Sequence, residues 1–347
     1  MAPRRAISLQ SVTLRDVAKN AGVHLSTASR ALDPAKRHLI ADAVVSKIAA
    51  VADNLGYRRD PIAASLRTRR SKLVGVIVPD IANPVFSPII AAITETLSAA
   101  GYSTIVADGG QDRKRQSALV GELMARRVDG LVLATVRRDD PILKECLREG
   151  LPVVLVNRAD ESDRVSSVVT DDRAGMRLAV RHLIELGHRH IGHVAGPADI
   201  STGYLRRFGF EDAMAAYDLK YSPQAIVEAS AYEREAGEIA AAQLLKDNPK
   251  LTAIAAANDL LALGVYRAIA AAGLSCPRDI SVVGHNDMPL ADMVEPPLTT
   301  IRIGPREMGH DAARLMIARI QEPEAAVKRV VLSPSLVVRA STAAAKH

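Results

Sequence analysis

From residue 73 onward, short apolar runs alternate with stretches whose apolar positions recur at helical spacing. LVGVIVP (73–79), STIVAD (103–108), GLVLAT (130–135) and PVVLVN (152–157) read as buried strands, because they are rich in Val, Leu and Ile over strand-like lengths. PIIAAITETLSAAG and RQSALVGELMARR between them carry the helical pattern. The rhythm repeats with HIGHVAG (190–196), AIVEA (225–229), TAIAAA (252–257) and ISVVGHN (280–286). Strands alternating with helices predict parallel sheets, here two doubly wound α/β lobes over residues 73–340, followed by a short tail, 341–347. In such sheets ligands bind beyond the carboxyl ends of the strands. Polar residues stand there: Asp80 and Asn83, Asp108, Asn157 and Arg158, Asn258 and Asp259, Asn286 and Asp287.

The pattern at the amino terminus is different and all-helical. In VTLRDVAKNAGVHLSTASRAL (12–32), Thr13 and Asp16 are spaced to cap a helix starting near Leu14. Val17, Ala18 and Ala21 share its inner face, and Gly22 sits where the chain must turn into a second helix near Leu25. A helix-turn-helix lays that second helix in the DNA major groove with its first side chains on base edges. Leu25, Ser26 and Arg30 are therefore assigned to base reading, and Thr13, Thr27 and Ser29 to phosphates at helix starts. The head spans 1–58. RRDPIAASLRTRRSK follows, making 59–72 a hinge and linker in which Asp60 and Pro61 are placed to open a helix of about two turns. A helix this short does not hold by itself in water, so the segment reads as one that orders on DNA or as a plain basic linker.

Charge sharpens this division. Of the overall formal charge of +6, residues 1–72 contribute 14 Lys and Arg against 5 Asp and Glu, so the remainder is slightly acidic. A basic head on an acidic body points to a polyanion partner. The two cysteines, Cys146 and Cys276, have neither disulfide-framework nor zinc-site spacing. No apolar run has spanning length and the first residues lack the apolar core of an export signal, so a cytoplasmic protein without membrane contact is expected.

The segments VTLRDVAKNAGV with STASRAL, AASL, VPDIANPVF, HLIELGHRHIGHVAGP, RRFGF, AANDLLALGVYRAI and DISVVGHND with PPLTTIR together resemble the lactose/galactose repressor (LacI/GalR) family of bacterial transcription factors. The resemblance runs from residue 12 to about residue 339. It implies a homodimer of two-lobed, periplasmic-binding-protein-like sensors whose paired heads bind near-palindromic double-stranded operator DNA. PIAASLR would fold as a hinge helix in the minor groove, with Leu66 as the wedge, Ala63 beside it and Arg67 following. Effector binding between the lobes would change their angle, and with it the population of DNA-competent hinge helices.

By the same resemblance the effector site comprises Asn83, Phe86, Asn157, Arg158, Arg206, Asn258, Asp259 and Asn286: amides and carboxylates for hydroxyls, a guanidinium clamp, and one aromatic face. Departures from the family pattern are informative. His24 stands where Ser usually opens the recognition helix, Leu25 where polar or aromatic readers are common, and Ala41 where Ser or Thr opens the third helix. Val85 removes a second aromatic, which disfavours a flat purine, and Asn286 replaces an Asp beside Arg206 and Arg158. An oxygen-rich effector, a sugar or sugar acid, is the expectation. No cofactor or metal is implied.

Two other classes fit parts of the pattern. A transport-type binding protein lacks a reason for the basic head, and an α/β enzyme lacks any dinucleotide fingerprint, phosphate loop, HExxH or G-x-S-x-G element. The histidines of GHRHIGH (187–193) lie across a turn and a strand and read as core or surface residues in preference to metal ligands. If Leu66 is a wedge, Leu66→Ala weakens operator binding far more than binding to random duplex; equal loss on both, in titrations at fixed salt, would make it mere linker.

Overall fold

The structure, a computed structural model, describes residues 12–33, 36–58 and 70–346, and divides into two units, Met1–Ser71 and Lys72–His347. In the first unit, α1 (Leu14–Ala21) opens with a capping box: the Asp16 amide donates to the Thr13 hydroxyl, and the Thr13 amide donates to the Asp16 carboxylate at 2.9 Å. Gly22 ends the helix in the left-handed region (φ 67°), which turns the chain into α2 (Leu25–Ala31). His24 caps α2 by accepting from the Ser26 amide, so a ring nitrogen does what a hydroxyl usually does there. Ala41 offers no side-chain cap to α3 (Asp42–Asn54), leaving Asp42 to face the positive helix end. Ala28 and Ala31 of α2 pack with Val17, Ala18 and Ala21 against Ile48 and Ala52 of α3.

The second unit is built on two parallel sheets. The first lobe contains β1 (Leu73–Val78), α4 (Phe86–Ala99), β2 (Ser103–Asp108), α5 (Arg113–Ala125), β3 (Gly130–Leu133), α6 (Pro141–Arg148), β4 (Val153–Val156) and β5 (Ser166–Thr170). The second contains α7 (Asp172–Glu185), β6 (Ile191–Ala195), α8 (Ser201–Ala216), β7 (Ile226–Glu228), α9 (Arg234–Asp247), β8 (Ala253–Ala256), α10 (Asp259–Ala271) and β9 (Ser281–Val283). After β10 (Thr300–Arg302) the chain returns to the first lobe as α11 (Pro305–Gln321) and β11 (Arg329–Leu332), then leaves through β12 (Ser335–Val337), which pairs antiparallel with β10. The sheet orders are β11-β5-β4-β3-β1-β2 and β7-β6-β8-β9.

The lobes are therefore not two consecutive halves, as the apolar rhythm suggests. β11 completes the first sheet by pairing with β5, and the Lys328 amide reaches the Ser166 hydroxyl 162 positions away. The returning α11 covers one face of that sheet, burying Met308, Ala312 and Met316 beside Ile89 and Ile93 of α4. The segment set apart as a tail is tied into the second lobe: Ser341 is fully buried, its hydroxyl donating to the Val282 carbonyl, and the Ala345 amide donates to the Leu186 carbonyl. Among the described residues, no helix is long and apolar enough to cross a membrane.

The α4–α11 crossing depends on Gly309, where a Cβ would run into the Ile89 carbonyl and sit 2.8 Å from the Ala92 Cβ. Gly309→Ala is expected to cost about 1–3 kcal/mol through overpacking, read as a lower urea midpoint; an unchanged midpoint would show that the helices separate freely.

Candidate functional site

On the head, Leu25, Ser26 and Arg30 are exposed on α2, while Ala28 and Ala31 hold its opposite side in the core. Ser26 and Arg30 are one turn apart and share a face. Thr27 and Ser29 are half-buried, and the exposed Thr13 hydroxyl donates to the Asp16 carboxylate at 2.7 Å. The Ser26 hydroxyl lies 2.8 Å from His24 Nδ1, so the cap also orients a candidate reader. Ala63, Leu66 and Arg67 lie outside the described residues.

In the second unit the carboxyl ends of the strands face a cleft, and it gathers most of the residues expected there. Asn83, Phe86, Asn157 and Arg158 line it from the first lobe, and Arg206, Asn258 and Asn286 from the second. Asn157 and Asn286 take positive φ (65° and 121°) where their strands end, a conformation uncommon for residues with a Cβ and often kept at functional sites. Asn83 Oδ1 accepts from the Val85 amide and Asn258 Oδ1 from the Leu261 amide, which leaves the amide NH2 groups as the donors for a ligand. Phe86 is almost wholly buried in the first-lobe core and shows the cleft one edge of an apolar wall.

Two expectations are corrected. Asp259 does not line the cleft; its carboxylate accepts from the Met288 amide at 2.8 Å and the Thr300 hydroxyl at 2.5 Å, bracing the loop after β9. Burial pushes this carboxyl up to about 6, against the lowering effect of those two hydrogen bonds. Arg206 is not a free clamp. Its Nε donates to Asp172 at 2.8 Å, Nη1 to the Ala257 carbonyl at 2.6 Å, and Nη2 to Asn286 Oδ1 at 3.1 Å, with Asp172 2.7 Å from Nη2 as ion-pair partner. Asp172 supplies the negative charge that Asn286 lacks, and burial pushes its carboxyl up while the guanidinium pulls it down.

Sequence reasoning missed Asp172 and the cleft-lining Gln111, Thr202, Tyr232 and Glu233, while Asp80, noted at the end of the first strand, does line the cleft. Tyr232 restores an aromatic that Val85 removed: its hydroxyl lies 3.0 Å from that of Thr202, and its ring centroid is 6.0 Å from the Arg206 guanidinium. The strand-end rule points toward Tyr232, but β7 is only three residues long and Tyr232 lies four residues beyond it. The histidines have structural partners. His188 bonds the Thr252 and Ser281 hydroxyls, and His193 bonds the Ala255 carbonyl at 2.7 Å and stacks on Phe210.

The two lobes line a narrow, partly open cleft between them. A latch holds them. The Arg138 amide donates to the Asp199 carbonyl at 3.1 Å, Arg137 pairs with the Asp199 carboxylate, and the Arg138 guanidinium lies 3.5 Å above the Tyr204 ring.

A recognition helix on a small helical head and a two-lobed α/β sensor define a ligand-responsive DNA-binding regulator. Residues 13–60 match the bacterial regulatory proteins of the lacI family, and residues 180–342 the periplasmic binding protein-like domain. The HTH-type transcriptional regulator MalR of Streptomyces coelicolor is 35% identical over 96% of this chain and 97% of its own length. The structure of a CelR–cellobiose complex is 31% identical, with a TM-score of 0.74 over 95% of this chain and 99% of that one. A lac repressor dimer bound to operator and the anti-inducer ONPF is 29% identical, with a TM-score of 0.84 over 96% and 100%. The chain belongs to the LacI family; it is a transcriptional regulator and not an enzyme.

Because Arg206 neutralises a buried carboxylate, Arg206→Met is expected to destabilise the sensor by about 3–5 kcal/mol. Arg206→Met with Asp172→Leu should recover much of that loss. Purely additive losses in the double-mutant cycle, measured by urea unfolding, would show that the pair is not coupled.

Proposed function

We propose that this protein is a repressor that works in the cytoplasm as a homodimer, its operator affinity set by a sugar-like effector held between the lobes. The observation that carries this reading is the cleft itself: amide donors from both lobes, a tyrosine and two arginines converge at the strand ends. That donor-rich lining with aromatic surface suits a polyhydroxylated ring. Cellobiose in the similar CelR complex and operator DNA under the similar lac repressor dimer support both halves of the reading.

In this reading Leu25, Ser26 and Arg30 touch base edges, with the Leu25 side chain suited to a thymine methyl, while Thr13, Thr27 and Ser29 hold phosphates. The organisation is a head (1–58), a hinge (59–72) carrying Ala63, Leu66 and Arg67 into the minor groove, and a sensor (73–340) with its terminal segment (341–347). Asn83, Phe86, Asn157, Arg158, Arg206, Asn258 and Asn286 frame the effector. Lobe closure differs between free and loaded sensor, and that difference biases the hinge segments of the dimer.

The test is selection of bound duplexes from a random library at two salt concentrations, followed by titration of sugars into the complex. A palindromic site whose affinity shifts with a sugar is expected. Recovery of only salt-sensitive background, with no response to any ligand, would overturn the proposal.

A further inference from the structure

Of the two buried arginines described in the sensor, Arg206 is paired with a carboxylate and Arg158 is not. Among the described residues, buried Arg206 pairs with Asp172, Asp160 pairs with Arg164 at 2.6 Å, Asp140 accepts the Arg137 and Ile142 amides, and Asp259 accepts from Met288 and Thr300. Arg158 is only 5% exposed, and no ion pair is formed by it among these residues. Its Nη1 donates to the Thr135 carbonyl at 3.1 Å, and its buried Nε meets no acceptor among the described residues. Burial holds this guanidinium down at about 10; Tyr232 raises it, Arg137 lowers it, and the raising influence of Asp199 and Asp140 is weaker. Asp199 is already engaged by Arg137.

A buried cation without a counter-ion is costly, and a fold keeps one where a partner anion arrives from outside. Arg158 lines the cleft next to Asn157, and Tyr232 and Thr202 line the same cleft from the second lobe. The carboxylates that share the cleft, Asp80 and Glu233, are half-buried and exposed respectively, so they remain hydrated. We infer that the effector is an anionic sugar derivative whose carboxylate or phosphate is the missing counter-ion of Arg158, while the amides and Tyr232 take the polyol. This rests on the cleft being the sugar-effector site. The sequence pointed to Arg206 and Arg158 together; because Arg206 is neutralised by Asp172, the charge available to a ligand is that of Arg158.

A guanidinium fork suits a carboxylate or a phosphate equally in geometry, and matched probes separate them. Calorimetry and thermal unfolding of the full chain with D-glucose, D-glucuronate, D-gluconate and D-glucose 6-phosphate, and with the galactose series, compare each neutral sugar with its anionic counterparts. The wild type is expected to bind at least one acid or phosphate ester tenfold or more tightly than the neutral sugar. Arg158→Gln should lose that preference, and Arg158→Lys should keep part of it. Arg158→Gln should also raise the melting temperature of the ligand-free protein, because it removes an unpaired buried charge. A fall in that temperature would overturn the inference by making Arg158 a structural strut to Thr135. Binding of neutral sugars alone, unchanged in Arg158→Gln, overturns the charge assignment and leaves the cleft as a sugar site. No binding of any member, charged or neutral, overturns both.

Discussion

The sensor depends on strand pairing between distant parts of the chain. β11 is held at the edge of the first sheet by β5, and β12 holds β10, so the chain passes between the lobes near residues 171, 303 and 333. The crossings are tied together: the Asp171 amide donates to the Leu332 carbonyl, and the Thr170 hydroxyl to the Ile303 carbonyl at 3.1 Å. Lobes joined by several bonded strands can rotate about that seam but cannot drift apart. The cleft opens opposite the seam, at the carboxyl ends of both sheets, which is why residues as far apart in sequence as Asn83 and Asn286 meet there.

Within that frame the cleft is a problem in buried charge. Arg206 reaches it already paired with Asp172 behind it and hydrogen-bonded to Asn286, so its charge is met by the fold before any ligand arrives. Asp259, one residue from the cleft-lining Asn258, is buried beneath the cleft lining and secures the loop after β9. The division is physical. Charges satisfied by the fold give the cleft a rigid wall, and polar groups with donors left over give it something to bind with.

The contacts that bridge the lobes are of another kind. Arg137, Arg138, Asp199 and Tyr204 retain partial exposure, and exposed ion pairs of this sort contribute little each in water. Such contacts join the lobes without locking them.

Much of this was legible in the residues. The capping box at Thr13 and Asp16, the turn at Gly22, the exposed start of α2 and the uncapped Ala41 are decided by interactions within three or four residues, so local pattern suffices. The central strands announce themselves because a parallel strand covered on both faces must be apolar throughout. Edge and connecting strands do not. β5, β10, β11 and β12 are short and partly polar, and each exists because of a partner far along the chain. The strand-end residues of the cleft could be read off in the same local way, but their roles could not. Whether an arginine is neutralised, as Arg206 is by Asp172 34 positions away, or left without a counter-ion, as Arg158 is, depends on which side chains the fold brings within a few ångströms of it. The sequence by itself determined the class of protein, its helical head and the alternation that builds its sheets. Only the tertiary structure decided how the lobes interleave and where charge remains for a ligand, because both rest on pairings that no local pattern contains.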